Sequence, residues 1–465
     1  MYDLVSFTFT KSYTHLGGGI IMYKEITDKC LIVFNSYKEL NLDKAQDAFQ
    51  ESFQKRYKKK VNLKIVQLRE PTGIRGDLTG YLSAYKRLKK KLTQKEINSF
   101  DTIVFIHDAG LATRLFPLSY EHGTPLKSTV RFPRGRAIDL LFECIGKSAP
   151  LLKNSVLILP VDHYFHYNYI NIQELSSSLK KYSISMLVTP VPAKRVLGSL
   201  GVVKVGKNNK IERFYEKPSN KSLIPLYTKN KVLANTFQLI TTRKHLDKLQ
   251  RAIDLFISQP ENKGFIKKLN NTEWSFNKLI CESLTLNHKE LTDVQLAIKK
   301  CLSKFNITLG GVIAYGYWED WSSNIKTYIN LIRKIVKDNE KTAGNDNYFI
   351  GSKKILASGK LKSCIFIDCD TIDLFGDFEN CIFINCKLLR AIGSQPIKNA
   401  LFYSLKKCNF LRKNMSNYVY ARFISGRRHV EFECEADTTF KELYKTMTKI
   451  SNDWIKYHEV IEKPS

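Results

Sequence analysis

The sequence predicts an α/β protein: a mostly parallel sheet covered by helices, followed by a strand-rich C-terminal region of repeating coils. Two observations carry this. Continuous apolar runs at 102–106, 155–159 and 184–188 alternate with helical stretches, and strands apolar on both sides belong to a sheet buried on both faces. From about residue 346 the texture changes to short strands containing an internal repeat.

The chain has 465 residues, more than one hydrophobic core usually supports. The expected division is 1–345 and 346–465, with a helical end to the second part and residues 1–100 as an N-terminal portion of the first. That portion mixes short apolar strands (Leu31-Ile32-Val33-Phe34; Leu63-Lys64-Ile65-Val66) with basic helices. Residues 246–345 read as mostly helical, with one strand-like insertion at 307–317.

In the C-terminal part, Ser363-Cys364-Ile365-Phe366-Ile367-Asp368-Cys369 recurs 17 residues later as Asn380-Cys381-Ile382-Phe383-Ile384-Asn385-Cys386. A weaker copy at 399–404 follows after a further 19. Such periods suit the coils of a β-solenoid, each burying its face on the next. The four cysteines also invite a zinc reading, but zinc sites prefer tighter loops such as C-x2-C. Each pair here lies five residues apart along an expected strand, which would point its sulfurs to opposite faces. Stacked core cysteines are the expectation.

The net charge is +30. Basic runs at 55–60 and 86–91 would suit nucleic acid, yet lysine outnumbers arginine and is spread along the whole chain. The second run also continues a helical pattern (Leu78, Leu82, Tyr85, Leu88) whose other face must be solvated. A lysine-rich surface that attracts small anions is the expectation, not a nucleic-acid partner. No stretch approaches 18 consecutive apolar residues, the first residues lack a signal-peptide pattern, and the ten cysteines are read as reduced thiols. The expected setting is cytoplasmic.

Four segments carry chemistry. The run Phe105-Ile106-His107-Asp108-Ala109-Gly110-Leu111-Ala112-Thr113-Arg114-Leu115-Phe116-Pro117 places small residues after a buried strand. There, backbone N–H groups can approach phosphate oxygens, and Arg114 adds a charge-assisted fork. Ile158-Leu159-Pro160-Val161-Asp162 puts a carboxylate at the carboxyl end of a strand, where open α/β sheets bind ligands. Leu200-Gly201-Val202-Val203 to Glu216-Lys217-Pro218 reads as strand, turn, strand. Tyr315-Gly316-Tyr317-Trp318-Glu319-Asp320 supplies a second acidic position before a helix.

In this order the segments resemble the sugar-1-phosphate nucleotidyltransferases, whose pattern is G-G-x-G-T-R-x-x-P, an Asp after a strand, G-V-V…E-K-P and W-x-D. The resemblance covers about residues 60–400. It implies a Rossmann-like domain of the GT-A type, then a left-handed β-helix-like domain through which copies could associate. It also implies Mg²⁺ on Asp162 and Asp320, and a nucleoside triphosphate and a sugar-1-phosphate as substrates. Nucleotide binding would fall to Gly73, Gly76, Ala109, Gly110, Leu111, Thr113 and Arg114. Sugar-phosphate binding would fall to Gly201, Glu216, Lys217 and Asn235, and Arg114, Lys127 and Lys217 would act on the reacting phosphates.

The Gly-rich fragment Glu70-Pro71-Thr72-Gly73-Ile74-Arg75-Gly76 looks like the family's base-binding turn, yet it precedes the phosphate loop. That layout is similar to the fucose-1-phosphate guanylyltransferases and implies GTP. The sequence also departs from the pattern. Ala109 and Ala112 replace loop glycines, and Asp108 stands where an uncharged residue is expected. The family lysine falls on Thr124, with Lys127 able to deliver the same charge. A catalytically silent scaffold of the same fold is the competing expectation.

Overall fold

The computed structural model describes residues 25–435, except 38, 71–75, 109–125, 133–134, 198–199, 220–230, 323–324, 338–347 and several short intervals beyond 350. Gly73, Ala109, Gly110, Leu111, Thr113, Arg114, Thr124 and the expected C-terminal helical end therefore lie outside the described residues, as does Cys381.

The N-terminal portion is part of the main sheet. Strands β1 (Lys29–Ser36) and β2 (Asn62–Arg69) enclose helix α1 (Asp43–Tyr57), and helix α2 (Asp77–Lys91) leads to β3 (Thr102–His107). Helix α3 (Ala137–Ser148) precedes β4 (Ser155–Pro160) and β5 (His163–Ile170). Then come β6 (Ile184–Pro192), the hairpin β7 (Val202–Val205) and β8 (Ile211–Tyr215), and β9 (Lys231–Thr241). Helices α4 (Arg243–Ser258) and α5 (Asp293–Lys304), strand β10 (Leu309–Asp320) and helix α6 (Ile325–Lys337) complete it.

The ten-stranded sheet has the order β2-β1-β3-β4-β9-β6-β10-β5, with the β7–β8 hairpin branching from β9. Strands β2, β1, β3 and β4 are mutually parallel, as are β6 and β10, whereas β9 runs against its neighbours and β5 is an antiparallel edge.

Alternating side chains explain the continuous apolar runs. Ile32, Phe34, Val104, Ile106, Leu157 and Leu159 face one core with Phe49, Phe53, Leu141 and Phe142 of α1 and α3. Leu31, Val33, Ile103, Phe105, Val156 and Ile158 face another with Leu82, Tyr85 and Leu88 of α2 and residues of α4 and α5. Both faces are covered, so neither parity of a strand is polar.

Beyond residue 347, strands Tyr348–Ile350, Ile365–Ile367, Ile382–Ile384 and Ala400–Leu405 stack in parallel. Lys354–Ser358, Thr371–Phe375, Leu388–Ile392 and Lys407–Cys408 form a second stack, and Leu361–Lys362 with Phe378–Glu379 a third. Ile365 lies opposite Ile382, the 17-residue offset of the sequence repeat, and Ile382 opposite Leu401, the offset of 19. Rings of Phe349, Phe366 and Phe383 stack at 5.0 and 4.7 Å. The region then changes character: Met415–Ser425 and Arg428–Glu435 pair antiparallel, a hairpin no repeat announces.

The cysteines need a correction. Cys364 and Cys369 are not residues of one strand: both are buried, but they flank the strand rather than lie in it. The strand between them is only three residues long, and Asp368 turns the chain with φ 54°. Cys386 is buried too, and no group of three or more potential metal ligands occurs among the described residues.

Candidate active site

Asp162 follows the carboxyl end of β4, and Asp320 ends β10. Antiparallel pairing of β10 with β5 sets Asp320 opposite His163, the residue next to Asp162. The chain then turns so that the Trp321 N–H donates to the Asp162 carbonyl at 3.2 Å. The Ser322 hydroxyl reaches Asp162 Oδ2 at 2.5 Å and Asp320 Oδ1 at 3.2 Å. Sharing one hydroxyl holds these two carboxylate oxygens within about 6 Å of each other.

Lys127 Nζ pairs with Asp162 Oδ2. Burial raises the Asp162 pKa, but the Lys127 charge and hydrogen bonds from Lys127 and Ser322 outweigh it, holding the carboxyl well below its usual range. His163 is turned into the protein: its Nδ1 accepts from Trp318 Nε1 at 3.3 Å, and its ring meets Phe237 at 5.7 Å. Two converging carboxylates, one already matched to a cation, suit Mg²⁺, which takes one or two protein carboxylates and fills its shell with water and phosphate oxygens.

Asp108 is engaged elsewhere. It is buried, with Oδ1 accepting the Ser128 N–H at 3.2 Å and Oδ2 accepting from the Ser128 hydroxyl and, at 3.0 Å, the Ser36 hydroxyl. Burial pushes its carboxyl up to about 6 against these donors. It ties Ser36 at the end of β1 to the segment that carries Lys127.

The second cluster gathers Gly201, Glu216 and Asn235. A Cβ at Gly201 would stand 2.8 Å from the Phe214 ring and 3.1 Å from Glu216 Oε2. The Gly201 carbonyl accepts the Asn235 N–H at 2.9 Å. Lys217, beside Glu216, is exposed and adopts φ 49°. A bulge in β9 connects the clusters: Asn235 faces Glu216's neighbours, while Phe237, at φ 55°, covers His163.

Gly76 caps α2 at φ 96°, where a Cβ would meet the Trp274 carbonyl at 2.5 Å. Its missing side chain is thus accounted for by packing on the 274–282 segment. Nearby, at the carboxyl ends of β1, β2 and β3, lie Asn35, Glu70 and His107. Asn35 Nδ2 approaches His107 Nδ1 at 3.0 Å, Arg87 donates to Asn35 Oδ1 at 2.6 Å, and Glu70 Oε1 stands 3.8 Å from His107 Nε2.

Sequence patterns did not single out Ser322, His163, Phe237 or Asn277. Ser322 follows Asp320 by two residues, a spacing that carries no chemical signal by itself. Asn277 lies in a helical stretch without any motif.

Residues 135–333 match the family model described as Nucleotidyl transferase. The crystal structure of mannose-1-phosphate geranyltransferase from Thermus thermophilus matches at 11% identity and a TM-score of 0.36, covering 75% of this chain and 99% of its own. No curated protein matches. Asp162, Gly201, Glu216, Lys217, Asn235 and Asp320 all fall within the matched span, and over residues 135–333 this chain is similar to the nucleotidyl transferase family.

Proposed function

We propose that the chain is a sugar-1-phosphate nucleotidyltransferase, forming a nucleoside diphosphate sugar and pyrophosphate. The observation that carries the reading is the convergence of Asp162 and Asp320 on Ser322, within a span similar to nucleotidyl transferases, with Lys127 from the preceding segment paired to Asp162. GTP is the triphosphate implied by the sequence layout.

The reaction is an in-line displacement. A phosphate oxygen of the sugar-1-phosphate bonds to the α-phosphorus, and the bond to the bridging oxygen of the departing pyrophosphate breaks. Attacking and leaving groups are both anions already, so no general base is needed; positioning and charge compensation do the work. Asp162 and Asp320 would hold Mg²⁺, whose charge offsets that of the triphosphate. Lys127 turns from Asp162 to the leaving phosphates with Arg114, Lys217 meets the attacking phosphate, and Glu216 accepts from a sugar hydroxyl. The stacked strands beyond residue 347, offset by 17 and 19 residues, support a β-solenoid attached to this domain.

The test is a matrix of sugar-1-phosphates against nucleoside triphosphates with Mg²⁺, scored by pyrophosphate release. Turnover of at least one pair supports the enzyme. A chain that binds no triphosphate at millimolar concentration is a scaffold.

A further inference from the structure

Residues Asn277–Glu282 are wound as a π-helix. In an α-helix, with 3.6 residues per turn, positions five apart point about 140° away from each other. With i→i+5 bonding they stack one turn apart on the same side. Here both ends of the segment reach one target. Asn277 Nδ2 donates to Glu216 Oε2 at 2.9 Å, and Glu282 Oε1 accepts the Glu216 N–H at 3.0 Å.

The direction of the Asn277 amide is set from behind. The Phe237 N–H donates to Asn235 Oδ1 at 2.9 Å, and Asn235 Nδ2 donates to Asn277 Oδ1 at 3.1 Å. Asn277 must therefore present its NH₂ to Glu216, because its oxygen is already engaged. Glu282 is fixed likewise, its Oε2 accepting from Gln295 Nε2 at 2.9 Å. Asn277 engages Oε2 of Glu216 and not Oε1, so the contact fixes one oxygen and thereby the direction of the other. Asn235 and Asn277 are fully or almost fully buried. An ordered chain of buried amides ending on a carboxylate is costly as mere packing and useful as aim.

We infer that Asn277 is a positioning residue for sugar recognition: through the π-turn it orients Glu216 so that Oε1 meets a hydroxyl of the sugar-1-phosphate. This rests on the nucleotidyltransferase reading above. Asn277→Ala and Asn277→Asp in the full chain test it, the second keeping the size while facing Glu216 with an oxygen. Each should raise KM for the sugar-1-phosphate roughly 10-fold or more, as loss of one bond to a charged group predicts. KM for the triphosphate should stay within about twofold of wild type. In a Glu216→Ala background, Asn277→Ala should add little, because the two act as one unit.

Equal changes in both KM values, or a full effect of Asn277→Ala without Glu216, would overturn the inference while leaving the enzyme reading intact. A wild-type chain that neither binds nor turns over any sugar-1-phosphate ends both. Should the alanine variant fail to fold, by thermal unfolding, Asn277→Asp carries the same comparison.

Discussion

Glu70 is buried at the end of β2, and among the described residues its carboxylate oxygens have no well-formed hydrogen bond, His107 Nε2 standing 3.8 Å from Oε1. Burial pushes its carboxyl up to about 7, partly countered by Arg87 and Asn35. The neighbouring His107 is driven down to about 3, chiefly by burial, and stays neutral across the physiological range. The sign for stability follows from linkage. Between about pH 4.5 and pH 7 the folded chain holds a proton at Glu70 that the unfolded chain has released, so stability falls as pH rises through that window. Glu70→Gln should remove this slope, gaining up to about 3 kcal/mol over wild type at pH 8 and little at pH 4.5. Urea unfolding at the two pH values measures it, and equal gains at both would refute the assignment.

Lys217 and Asp162 make a second contrast at this scale. Lys217 is exposed, so Lys217→Ala should leave the thermal midpoint unchanged while lowering kcat/KM for the sugar-1-phosphate by about 10- to 150-fold, the loss of a charge-assisted contact. Asp162→Asn should abolish Mg²⁺-dependent turnover with every sugar, yet triphosphate should still bind. Calorimetry against pyrophosphate release separates the two, and loss of triphosphate binding in the Lys217 variant would move Lys217 to the other substrate.

Elements bring these residues together, and glycine marks where they pass closest. Gly76 has φ 96° and ψ 159°, a backbone region open essentially to glycine. A methyl group there would also meet backbone atoms of Trp274. Gly76→Ala should therefore cost about 2 kcal/mol or more, read as a lowered midpoint in denaturant, and should disturb the adjoining π-turn. A neutral result would show that the N-terminus of α2 relaxes freely. The sequence marked Gly76 as unusual but assigned it to a nucleotide. Local pattern cannot distinguish a glycine needed for a ligand from one needed for a neighbouring chain, because both demand the same missing Cβ.

Taken whole, the molecule carries a net charge of +30, and the proposed substrates are polyanions. Attraction of a triphosphate by a diffuse lysine surface is screened over a Debye length of about 10 Å at 0.1 M salt and about 3 Å at 1 M. The KM for triphosphate should thus rise several-fold between these salt concentrations, while kcat changes much less. A KM independent of salt would confine the recognition to partly buried groups such as Lys127.

The layering, the buried strands and the 17-residue repeat were legible along the chain, because hydrophobic periodicity is a local property and survives without knowledge of what packs on it. The sequence also picked out Asp162, Glu216, Lys217 and Asp320, each of which stands at a strand end where a carboxylate or ammonium has no structural reason to recur in that order. What those groups face depends instead on how the elements pack. Ser322 joins two carboxylates 158 residues apart, Asp108 turns inward to two serines, and a π-turn brings Asn277 to the carboxylate of Glu216 and Glu282 to its backbone N–H. The direction of β9, opposite to both neighbours, depends on that packing as well. Such contacts depend on the distance between segments remote in sequence, and a hydroxyl or amide reads the same along the chain whether it meets water or a carboxylate.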